Sequence, residues 1–149
     1  MTAAIRAIDT EYAGCRFRSR LEARWAVILT AAGHEWEYEP EGFETPCGRY
    51  LPDFRVVVLP GAATGERVWL EIKPSDYVGR GPSTDEYLQD LGRWFSLVRE
   101  TRMMLVVACG LDGQTIVITP YTHDGHCGFV TDIHVAEGKA ARFEYGASG

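Results

Sequence analysis

The chain has 149 residues, 46% of them hydrophobic, and a formal net charge of −6. That length suits one compact domain, since two cores would each fall near the size where burial becomes marginal, and no apolar run nears the roughly 18 residues of a membrane span. An acidic balance argues against generic affinity for nucleic acid, which usually shows as a basic surface.

The cysteines at 15, 47, 109 and 127 form no C-x-x-C pair, and Arg6, Asp9 and Glu11 stand where an apolar signal core would be. The expectation is a soluble protein in a reducing, cytoplasmic setting. Thirteen of the fifteen basic residues are arginine, and Arg16, Arg18, Arg20 and Arg24 crowd into nine positions. A solvated helix face explains such a cluster without any partner.

In chain order, Leu21, Trp25, Ile28 and Leu29 recur at helical spacing over residues 19–32, with Ser19 placed as the N-cap and Gly33 just past the end. Next, HEWEYE alternates Trp36 and Tyr38 against charged neighbours, the pattern of a half-buried strand. A loop rich in Pro, Gly and Cys runs to about Arg49. The stretch YLPDFRVVVL, 50–59, reads as a second strand, with Phe54, Val56 and Val58 on one face and Leu51, Asp53 and Arg55 on the other. Pro52 belongs at its start, where a missing backbone donor is tolerated.

After the turn cluster PGAATGE, a third strand over 67–73 completes an expected antiparallel meander. Residues 74–83 read as a mobile loop. A second long helix over 84–101 carries Leu88, Leu91, Phe95 and Val98 on one face despite Gly92. Strands follow at 103–109, 114–120 and 128–135, the last within an irregular extension over 120–149.

The third strand, VWLEIKP, places Glu71 and Lys73 on one face, about 6.6 Å apart at the usual rise per residue, opposite Leu70 and Ile72. If it pairs with the second strand, Asp53, Glu71 and Lys73 meet on one side of the sheet. The turn between the strands is too long for the sequence to set the register. Two carboxylates about 4 Å apart repel by about 4 kcal/mol at an effective dielectric near 20, and a divalent cation between them reverses that. Carboxylate and carbonyl oxygens with open water positions suit Mg²⁺ or Mn²⁺, and the Ile72 carbonyl lies within reach. Lys73 then faces the water beside the ion, where it can orient that water or offset charge building on a phosphate.

Each residue also has a plain structural explanation. Asp53 after a proline is an ordinary strand-start residue, and Glu71 and Lys73 fit the exposed stripe of a one-sided sheet. Ser19-Arg20-Leu21-Glu22 is a capping box, in which Glu22 bonds the Ser19 backbone N–H. Glu22 also borders the buried stripe near Trp25 and Leu29, so two roles compete for one side chain.

Taken together, FRSRLEARWA, WEYEPEGF, YLPDFRV and WLEIKP resemble the PD-(D/E)XK nuclease superfamily. Pro52-Asp53 and Glu71-Ile72-Lys73 stand as its signature, seventeen residues lie between Asp53 and Glu71, and Glu22 occupies the acidic position on the first helix. The order of elements from Ser19 to Cys109 resembles the restriction-endonuclease-like αβββαβ core, an α/β fold with a mixed central sheet flanked by helices.

The resemblance implies Mg²⁺-dependent hydrolysis of DNA phosphodiester bonds, with Mn²⁺ as a substitute. Glu22, Asp53, Glu71 and the Ile72 carbonyl would hold one or two ions, and Lys73 would assist the attacking water. Arg18, Arg20 and Arg24 become candidates to position DNA phosphates. The exonuclease branch carries Q-x-x-x-Y on the second helix; Gln89 is present but position 93 is Arg, so that branch is not implied. In character the chain is closer to small resolvases, restriction-type subunits and nuclease subunits of transposition systems. Recognition would call for dimerisation, residues 120–149 or a partner protein, and a duplex cut for a homodimer or two successive events. Two alternatives stay open: a nuclease-like module that binds or assembles without cutting, and a plain α/β protein with no site.

Elsewhere, HDGHCG groups His123, His126 and Cys127, but without a second ligand pair it reads as a loop and not as a zinc site. Trp69 shares the Glu71 face and is the one tryptophan to weigh as a base-stacking platform. Gly79-Arg80-Gly81 reads as an exposed loop, with a hinge as its alternative.

Overall fold

The computed structural model of the protein describes residues 10–58, 66–77, 84–111, 115–120 and 128–131. The Gly79-Arg80-Gly81 loop, the His123, His126 and Cys127 group and most of the 120–149 extension lie outside the described residues.

The elements are β1 (Glu11–Tyr12), β2 (Cys15–Arg16), α1 (Arg20–Ala31), β3 (Glu35–Tyr38), β4 (Phe43–Thr45), β5 (Gly48–Tyr50), β6 (Phe54–Val58), β7 (Glu66–Lys73), α2 (Thr84–Thr101), β8 (Leu105–Cys109), β9 (Thr115–Thr119) and β10 (Gly128–Thr131). Six strands form one sheet in the order β10-β9-β8-β7-β6-β3, and β1-β2 and β4-β5 are separate hairpins. The β3-β6 and β6-β7 pairs are antiparallel, as the meander requires. The β7-β8 pair is parallel because α2 carries the chain back across the sheet. The result is an α/β protein with a mixed sheet.

Alternation along the strands explains why one helix sits on each face. Phe54, Val56, Val68, Leu70 and Ile72 pack with Ala23, Ala26 and Leu29 of α1. The intervening positions, Trp69, Leu105, Val107, Ile116 and Ile118, pack with Trp94, Leu97 and Val98 of α2. Both faces are therefore covered, which overturns the exposed-stripe explanation of Glu71: only 7% of that residue is accessible. On α2, Leu91, Phe95 and Val98 pack on the core as expected, but Leu88 is 57% exposed and the stripe widens to include Trp94 and Leu97.

The sequence places α1 well. Ser19 is the N-cap, its hydroxyl accepting the Glu22 N–H at 3.1 Å. Gly33, with φ at 82°, lets the chain reverse so that the His34 N–H closes on the Leu29 carbonyl at 3.0 Å.

The expected strand over 50–59 is instead interrupted. Tyr50 ends β5, Leu51-Pro52-Asp53 is not strand, and β6 starts at Phe54. Proline has no N–H to donate, so the ladder cannot continue through it. Part of the expected loop before Arg49 is the β4-β5 hairpin, whose tip lies against α2. A Cβ placed at Gly92 would stand 2.3 Å from Cys47 Sγ, so the glycine that weakens the helix also admits the hairpin. Among the described residues no helix is long and apolar enough to cross a membrane.

Candidate functional site

The site begins where the β6-β7 ladder runs out. Phe54 pairs with Leu70, and continuing that register sets Asp53 opposite Glu71 and Pro52 opposite Ile72. Asp53 Oδ2 accepts the Ile72 N–H at 2.8 Å, and the Asp53 N–H points to Glu71 Oε2 at 3.4 Å. The Lys73 carbonyl accepts from Gly110 on the β8 side, so the Ile72 carbonyl, one residue back, opens to the other side, toward Asp53. Pro52 has no N–H to offer it. An acid after a proline is therefore more than a strand-start residue here: it closes the end of the sheet with its side chain, on the side to which the Ile72 carbonyl points.

Glu71 Oε2 also accepts the Tyr50 hydroxyl at 2.8 Å. Both carboxyl groups have pKa values raised above the ordinary carboxylate range. For Asp53 the causes are burial and then the Glu71 charge, against the Ile72 hydrogen bond. For Glu71 the cause is burial, opposed by Lys73 and by the Tyr50 hydrogen bond. Burial and the neighbouring Glu71 likewise raise the Tyr50 phenol, which stays protonated as a donor.

Glu22 reaches the site from α1. Its Oε1 accepts from the Ser19 hydroxyl at 2.7 Å and its Oε2 from the Tyr38 hydroxyl at 2.6 Å. The capping-box expectation is thus half met: the Ser19 hydroxyl caps the helix, but the Glu22 carboxylate bonds that hydroxyl and leans over the sheet edge. Oxygens of Glu22, Asp53 and Glu39 lie within 4.8 Å of one another. Glu39 follows β3 with φ at 45°, held there by its N–H on the Asp53 carbonyl at 2.8 Å, and its carboxylate is paired with the Arg18 guanidinium.

Lys73 stands on the α2 side of Glu71. Its Nζ is 3.8 Å from Glu71 Oε1 and 3.7 Å from Asp90 Oδ2, over the rings of Tyr77 and Trp94 at 5.2 and 6.0 Å. Asp90 is also bonded by the Tyr77 hydroxyl at 2.6 Å and by Arg93 Nη1 at 3.2 Å.

A cleft of about 440 Å³ joins these groups, its wall including Glu22, Asp53, Glu71, Ile72, Lys73 and Asp90. Arg18, Arg49 and Arg93 line it as well. Of the arginines singled out in the sequence, Arg18 is therefore at the cleft, whereas Arg20 and Arg24 are exposed on α1 and do not line it. Trp69 is not a stacking platform: it is buried, its Nε1 donates to Thr101 Oγ1 at 3.0 Å, and Phe43 packs edge-on against it.

Sequence reading passed over Glu39, Tyr38, Tyr50 and Asp90. Asp90 did leave a signal, because it precedes Trp94 and Leu97 at helical spacing and is an acid on a buried stripe. Glu39 left none beyond its place beside Tyr38.

The donor set fits an oxygen-preferring divalent cation. Buried carboxylates pushed toward protonation gain most from such an ion, and the Ile72 carbonyl adds a neutral oxygen. Glu22, Glu39 and Asp53 supply the convergent oxygens, and Glu71 adjoins Asp53. Compared with protein-family models, with curated proteins and with solved structures, the chain matches none of them.

Proposed function

We propose that the chain is a Mg²⁺-dependent deoxyribonuclease of the PD-(D/E)XK kind, with a restriction-endonuclease-like core. The observation that carries this reading is the pairing of Asp53 with Glu71 at the end of the β6-β7 ladder, beside the Ile72 carbonyl and Lys73. The succession α1, β3, β6, β7, α2, β8 supports the αβββαβ assignment.

When bound, the divalent ion supplies Lewis acidity at a phosphoryl oxygen and acidifies a coordinated water. Asp53 and Glu71 would hold it with the Ile72 carbonyl, and Glu22, fixed by two hydroxyls, would set the opposite wall. Lys73, at the cleft wall beside Glu71, would orient the attacking water. Arg18 meets the DNA backbone at the rim. One such site cuts one strand, so a duplex cut takes a homodimer, a partner or two successive events.

A second reading, a module that binds DNA without cutting, draws on one observation: Lys73 is engaged by Glu71 and Asp90 and only partly open to the cleft. The deciding assay incubates supercoiled plasmid and labelled single-stranded, duplex and branched DNA with Mg²⁺, Mn²⁺ or EDTA, comparing wild type with Lys73→Ala. Metal-dependent cutting that disappears in the variant supports the nuclease. DNA bound equally with and without metal, and never cut, favours the module.

A further inference from the structure

Arg93 projects from α2 to the wall of the cleft shared with Arg49, Lys73 and Asp90. Its Nη1 is occupied by Asp90, while its Nε is buried and has no acceptor among the described residues. Facing the Nε and Nη2 edge is Gly48, in the β4-β5 hairpin, with φ at 109°. A Cβ at Gly48 would stand 3.6 Å from Arg93 Nη2 and 3.8 Å from Nε, ordinary contact distances, so the hairpin packs closely along that edge.

A buried donor without an acceptor is costly, and Asp90 needs only the Nη1 side, being bonded also by Tyr77. A guanidinium with a donor left over at a cleft wall suits phosphate oxygens, which accept charge-assisted hydrogen bonds. Arg49 adds a second positive group on the same hairpin.

We infer that Arg93 binds a backbone phosphate of the strand lying in the cleft, through the part of its guanidinium that lines the cleft wall. The inference rests on the nuclease reading and extends it to a substrate contact on the second helix. The contact is independent of sequence, since a phosphate carries no base information.

The test uses the full chain with a labelled oligonucleotide of the form that wild type cuts. Anisotropy is read in Ca²⁺ across a salt series, cleavage in Mg²⁺, and thermal melting alongside. Arg93→Ala is expected to weaken binding about tenfold and to lower the slope of log K against log salt by about 0.9 for duplex or 0.7 for single strand, the value of one phosphate. KM should rise while kcat changes less than about threefold. Arg93→Lys should restore the slope and only part of the affinity.

An Arg93→Ala protein that melts as wild type and keeps its affinity, slope and KM overturns the assignment. If Arg93→Ala does not fold, Arg93→Lys decides: wild-type affinity without the guanidinium overturns it, and weaker binding at an unchanged slope supports it. Wild type that neither binds nor cuts DNA removes the nuclease reading itself, a result distinct from loss of the Arg93 contact alone.

Discussion

Asp53 and Glu71 are buried carboxylates set opposite each other by the β6-β7 register, each bonded to the other's strand: Asp53 Oδ2 takes the Ile72 N–H at 2.8 Å and Glu71 Oε2 the Asp53 N–H at 3.4 Å. Neither strand end pairs through backbone alone, so the polar network both closes the sheet and concentrates negative charge in the cleft.

That charge has a consequence for stability. Both carboxyl pKa values are raised by burial, and for Asp53 also by Glu71. A carboxyl whose folded pKa exceeds its unfolded value binds more protons in the folded state, so stability falls as pH rises from the ordinary carboxylate range through the raised values. In EDTA, Tm should therefore be lower at pH 8 than near pH 5, and Asp53→Asn should lessen the decline and add about 1 kcal/mol at pH 8. Mg²⁺ should raise Tm more at pH 8 than at pH 6, because proton and cation compete for the same oxygens. Melts of both proteins over that range check this; parallel pH profiles for wild type and Asp53→Asn contradict it.

On the proposed reading, Lys73 is the residue at which chemistry and folding can be told apart. It sits at the cleft wall between Glu71 and Asp90, and its side chain is 23% exposed. Lys73→Ala should lower cleavage by about 10² to 10³ and cost no more than about 1 kcal/mol of stability. Single-turnover rates and denaturant titrations measure the two effects. A variant that unfolds but, where folded, still cuts at the wild-type rate would make Lys73 structural.

Tyr38 holds Glu22. Its hydroxyl donates to Glu22 Oε2 at 2.6 Å and accepts the Arg18 N–H at 3.1 Å. Tyr38→Phe should cost about 1 kcal/mol and weaken Mg²⁺ binding by about tenfold or more, since partners that orient a ligating carboxylate tune its affinity. Calorimetric titration with Mg²⁺ reads the second effect, and unchanged affinity there would remove Glu22 from the proposed metal site.

Gly92 fits the β4-β5 hairpin to α2. In Gly92→Ala the new Cβ meets Cys47 Sγ at 2.3 Å, and the overpacking should cost about 1 to 3 kcal/mol, despite a gain of up to about 1 kcal/mol in helix propensity. Adding Cys47→Ala should recover most of the loss. A double-mutant cycle by chemical denaturation checks the coupling, and additive effects would place the hairpin tip elsewhere.

The elements that were legible in the sequence are those in which local pattern and packing agree. Trp36 and Tyr38 alternate as β3 does, Ser19 and Gly33 bound α1, and the apolar positions of β7, β8 and β9 recur as strands because a sheet covered on both faces needs them. Glu22, Asp53, Glu71 and Lys73 were legible as types at a spacing, and the cleft does collect all four.

Tertiary structure decided what depends on neighbours distant in the chain. The register that sets Asp53 against Glu71 is made by pairing across a long turn, which no local pattern encodes. Glu39 and Asp90 join the site only because β3 and α2 pack beside β6 and β7, and Tyr50 and Arg93 because a hairpin closes onto a helix glycine. The sequence by itself determined which residue types stand at which spacing and that Glu22 rides on α1 and Glu71 and Lys73 on β7. Distance, burial and hydrogen-bond partners, which set how those charges interact, came into being only when the sheet was paired and covered.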